Sequence, residues 1–148
     1  MSQANSAVDT PARPTPSPDQ DSAFFWEGLR AHEFRLQECT DCGKRRFPPM
    51  PSCPFCAGRH AKVVIPTGRG KVYSWVAVHH AFHPAFKADL PYIVATIDLE
   101  GGGRMAARVD TQGPEKAQIS IGQVVKAGYL DHGEWTELRF SAEPMVQG

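Results

Sequence analysis

Residues 39–58 read CTDCGKRRFPPMPSCPFCAG, and the two Cys-x-x-Cys pairs in this stretch are separated by ten residues. Each pair can wrap two thiolates onto one ion, so together they supply a closed tetrahedral set that leaves no coordination position for a substrate. We therefore predict one structural metal ion, with zinc favoured, held by Cys39, Cys42, Cys53 and Cys56. Iron in a rubredoxin-like centre and a pair of disulfides are the alternatives. The spacer is short and contains three prolines, which predicts a tight hairpin.

The charge of the chain is balanced, because its 148 residues include 16 Lys and Arg and 16 Asp and Glu. A neutral chain has no general electrostatic attraction to nucleic acid or to an anionic membrane. No apolar run reaches the roughly 18 residues of a membrane span, and residues 1–20 lack the features of a signal peptide. We therefore expect a cytoplasmic protein without membrane partners, in which reduced cysteines bind metal.

The N-terminal part of the chain is predicted to contain a tail and a helix. Residues 1–20 are rich in proline and small polar residues, with nothing to bury, and are predicted to be disordered. Residues 21–36 are predicted to form a helix, because apolar side chains recur there at helical spacing. This stripe consists of Phe25, Leu29, His32 and Leu36. Neighbouring aromatic rings either pack on their own domain or dock on a partner, and the candidate interface residues are Phe24, Phe25 and Trp26.

The remaining sequence predicts a mainly β protein. Residues 37–62, rich in cysteine, proline and glycine, form the predicted zinc ribbon, and residues 63–143 change to the alternation that is typical of half-buried strands. Five such runs occur, at residues 72–79, 92–99, 105–109, 124–129 and 135–140. Five strands in about seventy residues favour a small closed barrel, and the five-stranded OB-fold is the economical choice. SH3-like and other Greek-key barrels remain alternatives.

Few residues outside the cysteines suggest chemistry. Histidines cluster with phenylalanine after the first long run. They either are solvated or serve as a metal site, a general base or the lining of a ligand channel, and the candidate channel residues are His79, His80 and Phe82. No arrangement of nucleophile and base can be completed, because all four cysteines are already assigned to the metal, so no catalytic residue is predicted. Basic side chains on the ribbon and the first strand form either a solvated surface or contacts to phosphates of a cofactor or nucleic acid. The candidates for such phosphate contacts are Arg45, Arg46, Arg69 and Lys71.

Several motifs together resemble a known family. They are Phe25-Trp26, the two cysteine knuckles, Gly68-Arg-Gly-Lys-Val-Tyr-Ser74, Pro91-Tyr-Ile-Val-Ala95 and Ile121-Gly-Gln-Val-Val125. Over residues 23–143 the chain is similar to the zinc-ribbon, OB-fold, acyl-CoA-associated proteins that accompany thiolase-superfamily enzymes.

The resemblance implies a helix, a rubredoxin-like zinc ribbon and a C-terminal OB-fold barrel. It also implies a non-catalytic subunit that binds a thiolase-like or lipid-transfer-type partner, in a heterotetramer of two chains of each kind. The complex would bind acyl-CoA thioesters and carry out aldol cleavage of steroid side chains, condensation or hydration, with the partner supplying the reactive groups. The alternative function is that of a single-stranded nucleic-acid-binding protein, since zinc ribbons and OB-folds both occur in that class.

Overall fold

The computed structural model describes residues 12–111 and 118–144. Its one α-helix, α1, spans Ala23–Arg30 and buries Phe25 and Leu29. The predicted helix over residues 21–36 is therefore too long. The chain leaves the helix because His32 has a left-handed φ of 55°, and the amides of His32 and Glu33 bond to the carbonyls of Leu29 and Gly28. These two bonds close the last turn in a Schellman arrangement.

Three short strands form the ribbon sheet. They are β1 (Leu36–Cys39), β2 (Arg45–Arg46) and β3 (Ala61–Val64). The spatial order is β2-β1-β3, and both pairings are antiparallel. Leu36, which the sequence assigned to the helical stripe, instead opens β1. The two cysteine pairs lie in the turns of this small sheet, as the knuckle pattern predicts.

Five longer strands form the barrel, and they confirm the predicted OB-fold class. They are β4 (Arg69–Val78), β5 (Tyr92–Leu99), β6 (Arg104–Asp110), β7 (Val124–Asp131) and β8 (Thr136–Ala142). The barrel closes in the order β4-β5-β6-β8-β7. All neighbours are antiparallel except β6 and β8, which pair in parallel. A 3₁₀ helix at Pro84–Asp89 lies between β4 and β5.

One hydrophobic core unites the helix, the ribbon and the barrel. Alternate residues of β5 fill the barrel interior, with Ile93, Ala95 and Ile97 each at most 1% exposed. Phe25 and Leu36 belong to the same cluster, so the helix and the first ribbon strand pack onto the barrel. None of the helices among residues 12–111 and 118–144 is long and apolar enough to cross a membrane.

The structure describes residues 12–20 of the predicted disordered tail, and Arg13 ties this segment to the 3₁₀ helix. Residues 1–11 lie outside the described residues, but Arg13 donates to the Asp89 carboxylate at 2.6 Å and lies over the Phe86 ring. Arg108 donates to the same Asp89 oxygen at 2.8 Å. Composition could not reveal this attachment, because the partners of Arg13 lie more than seventy positions away along the chain.

Replacing Asp89 with asparagine is expected to lower the free energy of unfolding by about 1.5–3 kcal/mol at neutral pH, the range for a hydrogen bond to a charged group. Partial burial raises the pKa of the Asp89 carboxyl, but Arg108 and Arg13 outweigh burial and hold the pKa below its usual value. A carboxyl whose pKa is lower in the folded chain stabilises it above the unfolded-state pKa, and this contribution disappears as the pH falls through the folded-state pKa.

Urea unfolding of Asp89→Asn and the parent chain at neutral and acidic pH measures this effect. The difference between the two chains should shrink on acidification. Asp110→Asn is the matched control, because Asp110 is half-exposed and its contacts to Arg108 and Arg139 are 3.9 and 3.7 Å long. A difference that stays constant down to strongly acidic pH would refute the assigned ion pairs.

Candidate metal centre and adjoining clefts

The four cysteine sulfurs form one compact cluster in which all ligand atoms lie within 4.8 Å of one another. Two of the separations, Cys39 to Cys56 and Cys42 to Cys53, are 3.6 Å. All four thiols are free, so the disulfide alternative is not supported. Four sulfurs at about 2.3 Å from a central zinc ion would be separated by about 3.8 Å in a regular tetrahedron. The cluster therefore has the size that a tetrahedral zinc ion requires.

The knuckle turns aim main-chain amides at the sulfurs. The amide of Phe55 donates to Cys53 Sγ and that of Gly58 to Cys56 Sγ, both at 3.4 Å. Gly43 follows the first knuckle with a left-handed φ of 76°. In the second knuckle the left-handed residue is Ala57. Gly58 lies against the Asp41 side chain, so a Cβ atom there would require the carboxylate to move.

The thiols require a cation if all four are to be ionised. Burial raises the pKa of Cys53, but the amides of Phe55 and Cys56 outweigh burial and lower the pKa to about 6. The Gly58 amide lowers the pKa of Cys56, yet burial and the three neighbouring sulfurs outweigh it and raise the pKa to about 12. A positive ion removes this repulsion between sulfurs. The donor set therefore fits a bound metal, which Cys39, Cys42, Cys53 and Cys56 would hold with no position left for a reactant.

Two clefts flank the turn between β5 and β6. The junction cleft, about 400 Å³, lies between ribbon and barrel and is lined by residues 43–45, 55, 98 and 101–104. The barrel cleft, about 480 Å³, is lined by residues 69–71, 98–100 and 124. Both include Asp98.

The structure separates the four basic residues proposed for CoA. Arg45 lines the junction cleft, whereas Arg69 and Lys71 line the barrel cleft. Arg46 lines neither, because its guanidinium is buried and donates to the Gln37 side chain and the Met50 carbonyl. Arg46 therefore belongs to the internal structure of the ribbon, and charge alone could not distinguish it from Arg45.

The histidine cluster lies at the C-terminal end of β4. His79 and His80 are exposed, and Phe82 is 92% exposed. The His80 and Phe82 rings meet edge-to-face with centroids 4.9 Å apart. None of the three lines the junction cleft or the barrel cleft.

The three aromatic residues of α1 have different environments. Phe25 is 4% exposed and packs against Phe47 within the core, so it does not face a partner. Phe24 and Trp26 pack partly against the same core. Trp26 meets Trp135 edge-to-face at 6.2 Å. Their outer parts remain on the surface.

Three side chains of the junction cleft, those of Lys44, Phe55 and Arg104, are not among the predicted site residues. Phe55 belongs to the ribbon and Arg104 opens β6, so only the tertiary fold brings them to one cleft. The sequence did offer one signal for Phe55. An aromatic residue between two cysteine ligands is expected to be exposed, because the ribbon has no core to receive its ring.

The fold and the cysteine cluster together define a zinc-ribbon protein joined to an OB-fold barrel. Residues 26–63 match the family described as the ChsH2 rubredoxin-like zinc ribbon domain, and residues 63–129 match the ChsH2 C-terminal OB-fold domain. The chain belongs to this ChsH2 family, which confirms the resemblance found in its sequence motifs.

Three relatives carry informative names. The alpha subunit of a 3-oxo-4,17-pregnadiene-20-carboxyl-CoA hydratase of Mycobacterium tuberculosis is 37% identical over 129 residues, which are 87% of this chain and 40% of that protein. Benzoylsuccinyl-CoA thiolase subunit BbsA of Thauera aromatica is 30% identical, over 66% of this chain and 72% of that subunit. In a solved structure titled Ltp2-ChsH2(DUF35) aldolase, one chain is 34% identical with a TM-score of 0.73, over 86% of this chain and 98% of that chain.

The coverage differs between these relatives. This chain spans about 40% of the length of the hydratase subunit but nearly all of the chain in the aldolase structure.

Proposed function

We propose that this chain is a non-catalytic accessory subunit that binds a thiolase-like or lipid-transfer-type partner and helps to bind or channel acyl-CoA thioesters. The observation that carries the proposal is the match over 98% of a chain in an aldolase complex. The names of a hydratase subunit and a thiolase subunit among the relatives support CoA thioesters as the substrate class. The reaction of the complex would be aldol cleavage of a steroid side-chain CoA ester, a condensation or a hydration.

The proposed metal is zinc, with a structural role. Four thiolates fill a tetrahedral shell, so the ion holds the ribbon together and offers no position to a substrate. Thiols that serve as metal ligands need a reducing compartment, which supports a cytoplasmic location. The reactive groups would come from the partner.

The proposed contacts with the partner, the acyl chain and CoA lie on different parts of the surface. The exposed parts of Phe24 and Trp26 would meet the partner, in an assembly of two chains of each kind. His79, His80 and Phe82 would lie along the acyl channel, and Arg45, Arg69 and Lys71 would contact CoA. Phe82 is 92% exposed, so most of its ring is available for such a contact.

Co-expression with the thiolase-like protein encoded nearest to its gene tests this proposal. We expect the two chains to co-elute with the mass of a two-plus-two complex. The turnover of an acyl-CoA substrate should exceed that of the partner alone by about tenfold or more, because a correctly oriented substrate path governs the rate. The partner alone and this chain alone are the controls. Separate elution together with an unchanged partner rate would contradict the proposal.

A further inference from the structure

We propose that the junction cleft binds a nucleoside phosphate, for example the nucleotide end of CoA. The link to CoA rests on the proposed function, whereas the nucleotide chemistry rests on the cleft itself. The cleft volume of about 400 Å³ lies within the roughly 300–1,000 Å³ of small-molecule sites.

The cleft is lined on both sides by flat side-chain surfaces that suit stacking of a nucleotide base. On the ribbon side, the Phe55 ring is 59% exposed, and Lys44 Nζ lies 4.5 Å from its centroid. On the barrel side, the Arg104 guanidinium stacks on the Tyr73 ring at 3.7 Å, which leaves its other face uncovered by that ring. Aromatic rings and guanidinium planes are the usual stacking partners of bases.

The charge of the junction cleft favours a phosphate. Three cationic side chains and one carboxylate line it, those of Lys44, Arg45, Arg104 and Asp98. Arg45 pairs with Glu38 and Arg104 with Asp98, whereas Lys44 forms no ion pair within the described part of the chain. Lys44 therefore contributes an uncompensated positive charge beside the stacking surface, where a phosphate can bind it.

The barrel cleft lacks both properties. Its two cations, Arg69 and Lys71, are balanced by the carboxylates of Asp98 and Glu100, and no aromatic ring lines it. Arg69 also pairs with Glu143 at 3.2 Å. Of the two clefts beside the β5–β6 turn, the junction cleft is thus the one suited to a nucleotide.

The glycine turn keeps one wall of the junction cleft free of side chains. Gly101, Gly102 and Gly103 all have left-handed φ values, between 88° and 108°. A Cβ at Gly101 would lie 2.9 Å from Arg45 Nη1. The bare turn therefore leaves room for the Arg45 side chain, which reaches it from the ribbon.

Isothermal titration calorimetry of the metal-loaded full chain tests the proposal by measuring the dissociation constants of ADP, CoA and adenosine. ADP and CoA are expected to bind with similar affinity, and adenosine more weakly because it lacks phosphate. Phe55→Leu should weaken ADP binding about fivefold or more through lost stacking. Lys44→Gln should weaken ADP binding and leave adenosine binding unchanged. Lys87→Gln, an equal charge change on the 3₁₀ helix, is the matched control and should leave both unchanged.

Arg104→Gln provides an independent variant on the barrel side, and metal content and melting temperature verify that each variant is folded. Absence of ADP binding, binding of CoA without ADP, or an ADP affinity in both Lys44→Gln and Phe55→Leu that equals the affinity of the parent chain would each overturn the proposal. Tighter binding of a single-stranded oligonucleotide than of ADP would also overturn it.

The failure of this inference can be distinguished from the failure of the proposed function. A chain that binds ADP but forms no complex with a thiolase-like protein would overturn the proposed function alone. An active complex whose accessory chain binds no nucleotide would overturn this inference alone.

Discussion

Loss of the metal is expected to unfold the ribbon, from β1 to the end of β3, and to have the largest effect on stability of any local change. The ribbon has little core of its own, since its buried side chains are chiefly Leu36, Arg46 and the ligands Cys39 and Cys53. Binding of a structural zinc ion to such sites contributes about 10–16 kcal/mol, more than these few buried side chains can replace. Cys39→Ser, or chelation of the parent chain, removes this contribution.

Elemental analysis and amide NMR spectra measure the result. The parent chain is expected to carry one zinc ion, without iron, and Cys39→Ser to carry none and to lose the dispersed amide signals of the ribbon. Thr40→Ser is the matched control, because it keeps the hydroxyl that donates to the His60 carbonyl. Dispersed ribbon signals in a chain stripped of metal would show that the cysteines do not hold the fold.

Phe140→Ala is expected to lower the free energy of unfolding by about 3–5 kcal/mol, the range for removing a buried phenylalanine. Phe140 on β8 is 0% exposed and lies in the barrel core. It is also one of the residues that pair β8 with β6, where the barrel closes. The truncation leaves a cavity in the centre of the barrel, and the surrounding strands can collapse into it only in part.

Phe82→Ala removes the same side chain from a position that is 92% exposed. Its stability, measured by urea unfolding beside Phe140→Ala, should stay within about 0.5 kcal/mol of the parent chain. Any effect of Phe82→Ala on the rate of a reconstituted complex would then report on contacts rather than on folding. Equal destabilisation by the two substitutions would contradict the assignment of the core.

The sequence was informative where structure follows from local pattern. The alternation of Ile93, Ala95 and Ile97 with their neighbours predicted a strand, because one face of β5 is buried and period two is the geometry of that burial. The two Cys-x-x-Cys pairs predicted the metal cluster for a similar reason, since each knuckle is a short turn whose ligands are neighbours in sequence.

The sequence was uninformative where distant segments meet. The helix ends at His32, which has a left-handed conformation although it is not glycine. Because no glycine marks this end, the apolar pattern predicted a helix that continues to Leu36. The contact of Arg13 with Asp89 joins two segments that no local pattern connects. Arg45 and Arg46 are adjacent and equally basic, but β2 places one in a cleft and buries the other against Met50.

The contact between Arg45 and the glycine turn makes the junction cleft a shared product of ribbon and barrel. A molecule that needs both walls can bind only while the ribbon is folded, and we expect the ribbon to fold only around its ion. The two equilibria are then linked, and the factor by which the ion raises affinity for the molecule equals the factor by which the molecule raises affinity for the ion. Occupied subunits would consequently yield their metal to a competing chelator less readily than empty ones.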